Sequence, residues 1–290
     1  MLMTWIDMVY EYDGSYEGFL CCIYESYVHK EFPIAFFGDE DSGSISFYSI
    51  RQVSTVPAHA ERIRRSLFKR SPQAAQLLHR AFYTCMEERE CRLYRFVQKL
   101  YRDGPAFLQR QTDDACYPLL KAVRHLNGEL EKLRGFVRFS DYSGVLGAEI
   151  EPKNRVLPFL RRHFCQRYAN ESLFIYDRTH GELLLYSGGC SKIIRVDSLT
   201  LARPDETEVQ YRALWKRFFE TVSIKERYNP RCQNTFMPKR YRGTMTEFMD
   251  ESAFIPADSP AGGQLPSAPD GIPAPATRQE SVPCAPASGT

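Results

Sequence analysis

The chain has 290 residues and a formal net charge of +2, with 43% hydrophobic and 13% aromatic residues. That composition excludes a disordered or collagen-like chain and supplies enough apolar side chains for one large or two small cores. The near-neutral charge averages two regions: beyond Met249 five acids stand against Arg278 alone, so the body before it carries about +6, which suits an anionic partner.

Thr4–Tyr12 alternates loosely in β-type residues and predicts a strand. Asp13-Gly14-Ser15 makes a turn. Ser15 then caps a helix to about His29, with Phe19, Leu20, Ile23 and Tyr27 on its buried face. Phe32–Gly38 reads as an apolar connection and Ser44–Val53 as a second strand. Helices dominate next. Ala58–Lys69 turns Ile63 and Leu67 inward. Ser71-Pro72 opens a helix through about Thr84, serine as cap and proline at the first helical position. Glu90–Tyr101 carries Leu93, Phe96, Val97 and Leu100 on one stripe until Gly104-Pro105 ends it. Tyr117–Leu133 steps by four and three through Leu119, Val123, Leu126, Leu130 and Leu133, an amphipathic seam.

The period then changes. Gly135–Phe139 and Val145–Ile150 predict two strands about a turn at Asp141–Gly144. Arg155–Tyr168 predicts a helix, and Leu173–Asp177, Glu182–Tyr186 and Lys192–Val196 three more strands. That order suggests an antiparallel sheet with a helix laid across one face. Asp205–Val222 predicts a long helix with Tyr211, Leu214, Trp215, Phe218 and Val222 as its buried stripe. Lys225–Arg242 follows as a basic arm interleaved with tyrosines and amides. The expected architecture is α+β, an antiparallel sheet with packed helices. One domain fills 1–249: a helical insertion (about 56–134), a sheet-plus-helix segment (135–200), and a helix with the basic arm (205–248). Residues 250–290 are rich in Pro, Ala, Gly and Ser and predict a disordered tail.

The nine cysteines, at 21, 22, 85, 91, 116, 165, 190, 232 and 284, are irregularly spaced and include no CxxC pair. They are expected to be reduced core thiols of a cytoplasmic protein without a metal site. No apolar run approaches the ~20 residues of a membrane helix. Met1–Tyr10 has no basic residue, so no secretory signal is expected.

Five stretches resemble a known bacterial family: YDGSYEGFL (Tyr12–Leu20), RGFVRF (Arg134–Phe139), IEPKNRVLPFLRRHFCQRY (Ile150–Tyr168), LFIYDRTHG (Leu173–Gly181) and the LWKRFF…NPRCQNTFMPKRY block. The family is assigned to DNA metabolism or DNA repair. It is similar to a domain of unknown function fused, in some chains, to a uracil-DNA-glycosylase-like domain, and it is encoded beside a radical-SAM protein of DNA modification or repair. The likeness spans about residues 8–248. It implies DNA and that radical-SAM protein as partners, with no cofactor in this chain. Tyr241-Arg242-Gly243 stands where the family tends to have a Tyr-Trp pair, so one stacking aromatic is missing.

In the basic arm, Arg227, Arg231, Lys239 and Arg240 supply charge for phosphates, Tyr228 and Tyr241 faces for bases, and Asn229 and Gln233 hydrogen bonds. The same residues also suit an arm that wraps its own domain. Arg161 and Arg167 could line the same surface from their helix, and Arg138, opposite Val137 and Phe139, the open sheet face. For catalysis the candidates are Asp13 and Glu17, at a strand-to-helix turn where two carboxylates could share a proton; they are equally ordinary helix-start chemistry. Glu149 and Glu151 with His163 form a weaker metal candidate. A phosphate-binding glycine loop, the deaminase motif, a radical-SAM cysteine triad and a glycosylase water-activating loop are all missing. Three readings remain: a DNA-associated accessory protein, an enzyme on a nucleobase or phosphodiester, and a protein-only scaffold.

Overall fold

The computed structural model describes residues 5–38, 47–110, 112–201, 206–222 and 229–248. The fold is α+β, built on two sheets and two apolar clusters within one compact unit, Met1–Met249. The predicted tail, and Arg227 and Tyr228 of the arm, lie outside the described residues.

The first sheet has strand order β2-β1-β3, from β1 (Ile6–Glu11), β2 (Glu31–Phe37) and β3 (Ile50–Gln52), and both pairs are parallel. Helix α1 (Tyr16–His29) carries the chain from β1 to β2, so the apolar connection expected at Phe32–Gly38 is a strand. A short apolar run lacks the alternation that marks a half-buried strand, which is why its period does not reveal it. Pro33 is tolerated because β2 is an edge strand, and the register skips one residue there, Met8 pairing Pro33 and Val9 pairing Ala35. Lys30 takes the left-handed conformation (φ 58°) that ends α1.

Helices α2 (Pro57–Arg70), α3 (Pro72–Phe82) and α4 (Arg89–Asp103) pack beside this sheet around Phe19, Leu67, Leu78, Phe82, Leu93 and Phe96. Ser71 caps α3 by accepting from the Ala74 N–H. Helix α5 (Tyr117–Phe136) joins the two cores: Leu119 and Val123 pack into the first, Leu126, Leu130 and Leu133 into the second. Each such burial contributes on the order of 1.5–3 kcal/mol, so the seam read from the sequence ties the two cores together.

The second sheet runs β4-β5-β6-β7-β8, from β4 (Ser140–Asp141), β5 (Val145–Ile150), β6 (Ser172–Asp177), β7 (Glu182–Ser187) and β8 (Cys190–Arg195). It is antiparallel except for β5 and β6, which are parallel because α6 (Leu157–Arg167) returns the chain to the same end of the sheet. The strand expected at Gly135–Phe139 is absent: α5 continues to Phe136, and pairing begins only at Ser140. Phe136 and Val137 pack on the second core from the helix end, and that contact outweighs the helix cost of Gly135.

The last segments are α7 (Glu206–Val222), α8 (Pro230–Phe236) and two 3-10 turns, Lys239–Thr244 and Thr246–Phe248. The predicted buried stripe of α7 is exposed, with Tyr211 at 66%, Leu214 at 61% and Phe218 at 56%. The helix is fastened instead by polar groups. Arg212 donates to Glu208 (2.8 Å) and to Ser140 Oγ (2.6 Å), and Glu208 accepts from the Asp141 N–H (3.2 Å). The described cysteines are free thiols; Cys21, Cys22 and Cys116 are buried, whereas Cys85, Cys190 and Cys232 are exposed rather than core. No described helix is long and apolar enough to cross a membrane.

Candidate nucleic-acid interface

Where α5 ends, the turn to β4, the C-terminus of α6 and the first part of α7, as far as Trp215, border a groove of about 670 Å³. One wall carries Phe139 and Tyr168, whose rings meet edge to face at 5.1 Å. The other carries Tyr211 and Trp215, four residues apart and therefore on one face of α7. Four arginines line the groove, at 134, 138, 167 and 212, together with the acid Glu208.

These arginines are not equivalent. Arg138 donates to both oxygens of the buried Glu247 (2.8 and 3.2 Å) and lies 5.7 Å from the Trp215 ring, which locks α7, the α5 end and the last 3-10 turn together. Its place is therefore this buried bridge, not the open face of a sheet, because residues 137–139 are not a strand. Arg212 is held by Glu208 and Ser140. Among the described residues Arg134 pairs only with a largely exposed acid, Glu131. Arg167 is exposed, 5.8 Å from the Tyr168 ring, and has no acid within ion-pair distance among the described residues. Arg134 and Arg167 are thus the cations readiest to meet a phosphate.

The arm is itself structured. Asn229 caps α8, its Oδ1 accepting from the Cys232 N–H at 3.0 Å, so its side chain is used in the fold. Arg231, Gln233 and Lys239 are exposed but do not line the groove. Arg240 pairs with buried Glu129 and also reaches the Tyr241 hydroxyl. Tyr241 is buried and packs on Phe136, so it presents no face to a base. Both residues hold the arm against the second core. Arg161 is exposed on α6 outside the groove.

Asp13 and Glu17 serve the other core. Asp13 accepts from the Ser15 N–H (2.9 Å), the Ser15 hydroxyl (2.7 Å) and the Thr55 hydroxyl (2.7 Å). Burial alone would raise its carboxyl; these bonds, with Arg195 nearby, outweigh burial and hold it below the usual range. Such a group stays ionised and fastens the turn, a poor state for a general acid. Glu17 is half exposed and pairs with Arg64 at 2.8 Å. Glu151 pairs with Arg178, and Glu149 is pushed up by burial, while His163 is pushed down by burial and by Arg134 and Arg167. Among the described residues no three His, Cys, Asp or Glu are grouped to hold a metal.

Sequence reading therefore reached Arg138 and Arg167 of the groove and missed Tyr168, Tyr211, Trp215, Arg134 and Arg212. The available signal was an aromatic stripe on α7 with basic neighbours. Its period is the same whether the stripe is buried or left facing a groove.

The segment 87–247, more than half of the chain, matches the family model of DUF4130, a domain of unknown function. Every groove-lining residue falls inside that segment, whereas Asp13 and Glu17 precede it. No curated protein matches the chain.

Proposed function

The chain belongs to the DUF4130 family, a domain of unknown function, and from that premise we propose that it is a DNA-associated accessory protein of repair or base modification, which holds nucleic acid in the groove and works with a radical-SAM partner that supplies the chemistry. The observation that carries this reading is the pairing of four arginines with aromatic walls in one groove, the combination by which proteins follow a phosphate backbone and stack its bases. The DNA context and the partner rest on the sequence resemblance.

Binding should weaken linearly with the logarithm of salt concentration. Replacing Arg134 and Arg167 together by alanine should flatten the slope by roughly 1.4, about 0.7 for each single-strand phosphate no longer neutralised. Fluorescence anisotropy of a labelled oligonucleotide over a salt series measures it. An unchanged slope would remove the groove from the proposal.

One observation favours the scaffold reading as an alternative: Leu214, Phe218 and Val222 form an exposed apolar face on α7. Pull-down of the tagged chain before and after nuclease treatment separates the two. A partner retained after nuclease is held by protein contacts, and a partner released by it is bridged by DNA.

A further inference from the structure

Resting on the nucleic-acid reading above, we propose that the groove takes an unpaired nucleotide, so that the chain binds single-stranded or looped-out DNA in preference to intact duplex. Aromatic walls gain from a base only when its face is uncovered. In a duplex each base is stacked on its neighbours, and the walls formed by Phe139, Tyr168, Tyr211 and Trp215 would meet only backbone. The groove volume of about 670 Å³ lies inside the ~300–1,000 Å³ of sites built for small molecules, the scale of a nucleotide.

Two further features fit an unpaired base. Tyr211 is 66% exposed and meets no other ring among the described residues, and Trp215, 40% exposed, is stacked on Phe218 at 5.5 Å and still lines the groove. Two side chains of the groove are also held in place before anything enters. Arg138 is fixed on Glu247 beside Trp215, and Arg212 is fixed on Glu208 and Ser140. Side chains already ordered lose little entropy on binding. Arg167 then sits beside Tyr168 where the phosphate of a stacked nucleotide would emerge. The groove assigns roles accordingly: aromatic walls for the base, Arg134 and Arg167 for the backbone.

The sequence supplies a reporter. It contains two tryptophans, Trp5 and Trp215, so Trp5→Phe leaves Trp215 alone. The full chain carrying that change is titrated with a short mixed-sequence oligonucleotide, and separately with the same strand annealed to its complement. The expected result is quenching of Trp215 emission by the single strand and binding at least ~10-fold tighter than to duplex, since each stacked base contributes a factor of that order. Trp215→Ala should weaken single-strand binding roughly 10- to 100-fold and duplex binding by clearly less. Trp215→Phe should restore most of the loss, and it decides the matter if the alanine variant does not fold. Equal affinity for the two forms, or an equal loss on both in Trp215→Ala, would overturn the inference while leaving the groove as a phosphate site. Binding of neither form would overturn the nucleic-acid reading together with it.

Discussion

Glu129→Ala is expected to destabilise the chain by ~2–4 kcal/mol, because it strips the acceptor from several buried or part-buried donors at once. Glu129 is almost fully buried on α5. Its two oxygens accept from the Lys153 N–H (3.1 Å), the Asn154 N–H (2.9 Å) and the Asn154 side-chain amide (2.6 Å), and also from Arg240. Asn154 passes the connection on by accepting from the Cys85 N–H (3.0 Å). One carboxylate therefore ties the loop before α6, the turn after α3 and the C-terminal arm to the helix that joins both cores. Alanine would leave two backbone donors and a guanidinium without their acceptor, each costing about 1–3 kcal/mol if buried. Chemical denaturation measures it. A loss below about 1 kcal/mol would show that water or a neighbouring acid replaces the carboxylate.

The same group sets a pH dependence. Burial pushes the Glu129 carboxyl up, but the donors from Lys153 and Asn154, with Arg240, outweigh it and hold it below the usual range. A carboxyl depressed in the folded state contributes stability at pH above its unfolded pKa, and that contribution is lost as pH falls through the folded value. Glu31, lowered by Arg51 and by the hydroxyl of Tyr10, acts in the same direction in the first core. Stability should hold near neutrality and fall under acid, with less pH dependence in Glu129→Ala.

Gly18→Ala is the second large effect, and its sign is informative. Helix propensity alone makes alanine better than glycine by ~1 kcal/mol inside a helix. A Cβ at Gly18, however, would stand 2.2 Å from Asp13 Oδ1, 2.8 Å from Thr55 Oγ1 and 2.9 Å from a Tyr12 ring carbon. None of these can yield cheaply, because Asp13 is held by Ser15 and Thr55 and Tyr12 is buried. Overpacking together with loss of the Asp13 bonds is expected to destabilise by ~2–4 kcal/mol. Gly128 on α5 is the control. A Cβ there meets nothing within 4 Å, so Gly128→Ala should stabilise by roughly 0.5–1 kcal/mol. Thermal or urea unfolding of both variants tests the pair, and a stabilised Gly18→Ala would refute the packing argument.

Much of the fold was legible because its helices follow strict periods. The α5 seam, the Ser15 and Ser71 caps and the hairpin of β6 and β7 all lie where pattern and turn chemistry put them. Three features were not, each for a physical reason. β2 is an apolar run whose strand pairing comes from the α1 crossover, a non-local fact. Parallel pairing of β5 and β6 likewise depends on where α6 lies. The α7 stripe has the period of a buried face, but its fastening by Glu208 and Arg212 leaves the aromatics outward. That last difference moved the candidate site. Arm residues expected to meet nucleic acid, Arg240 and Tyr241, instead fasten the arm to Glu129, while α7, expected to be core, supplies a groove wall.

The central claim is that nucleic acid lies in the groove beside α7. Ultraviolet crosslinking of the full chain to a single-stranded oligonucleotide, followed by mass-spectrometric mapping of the adducts, tests it most directly. The groove predicts adducts on Tyr168, Tyr211 or Trp215. Adducts confined to α8 or to α2, with those three residues unmodified at saturating oligonucleotide, would contradict it.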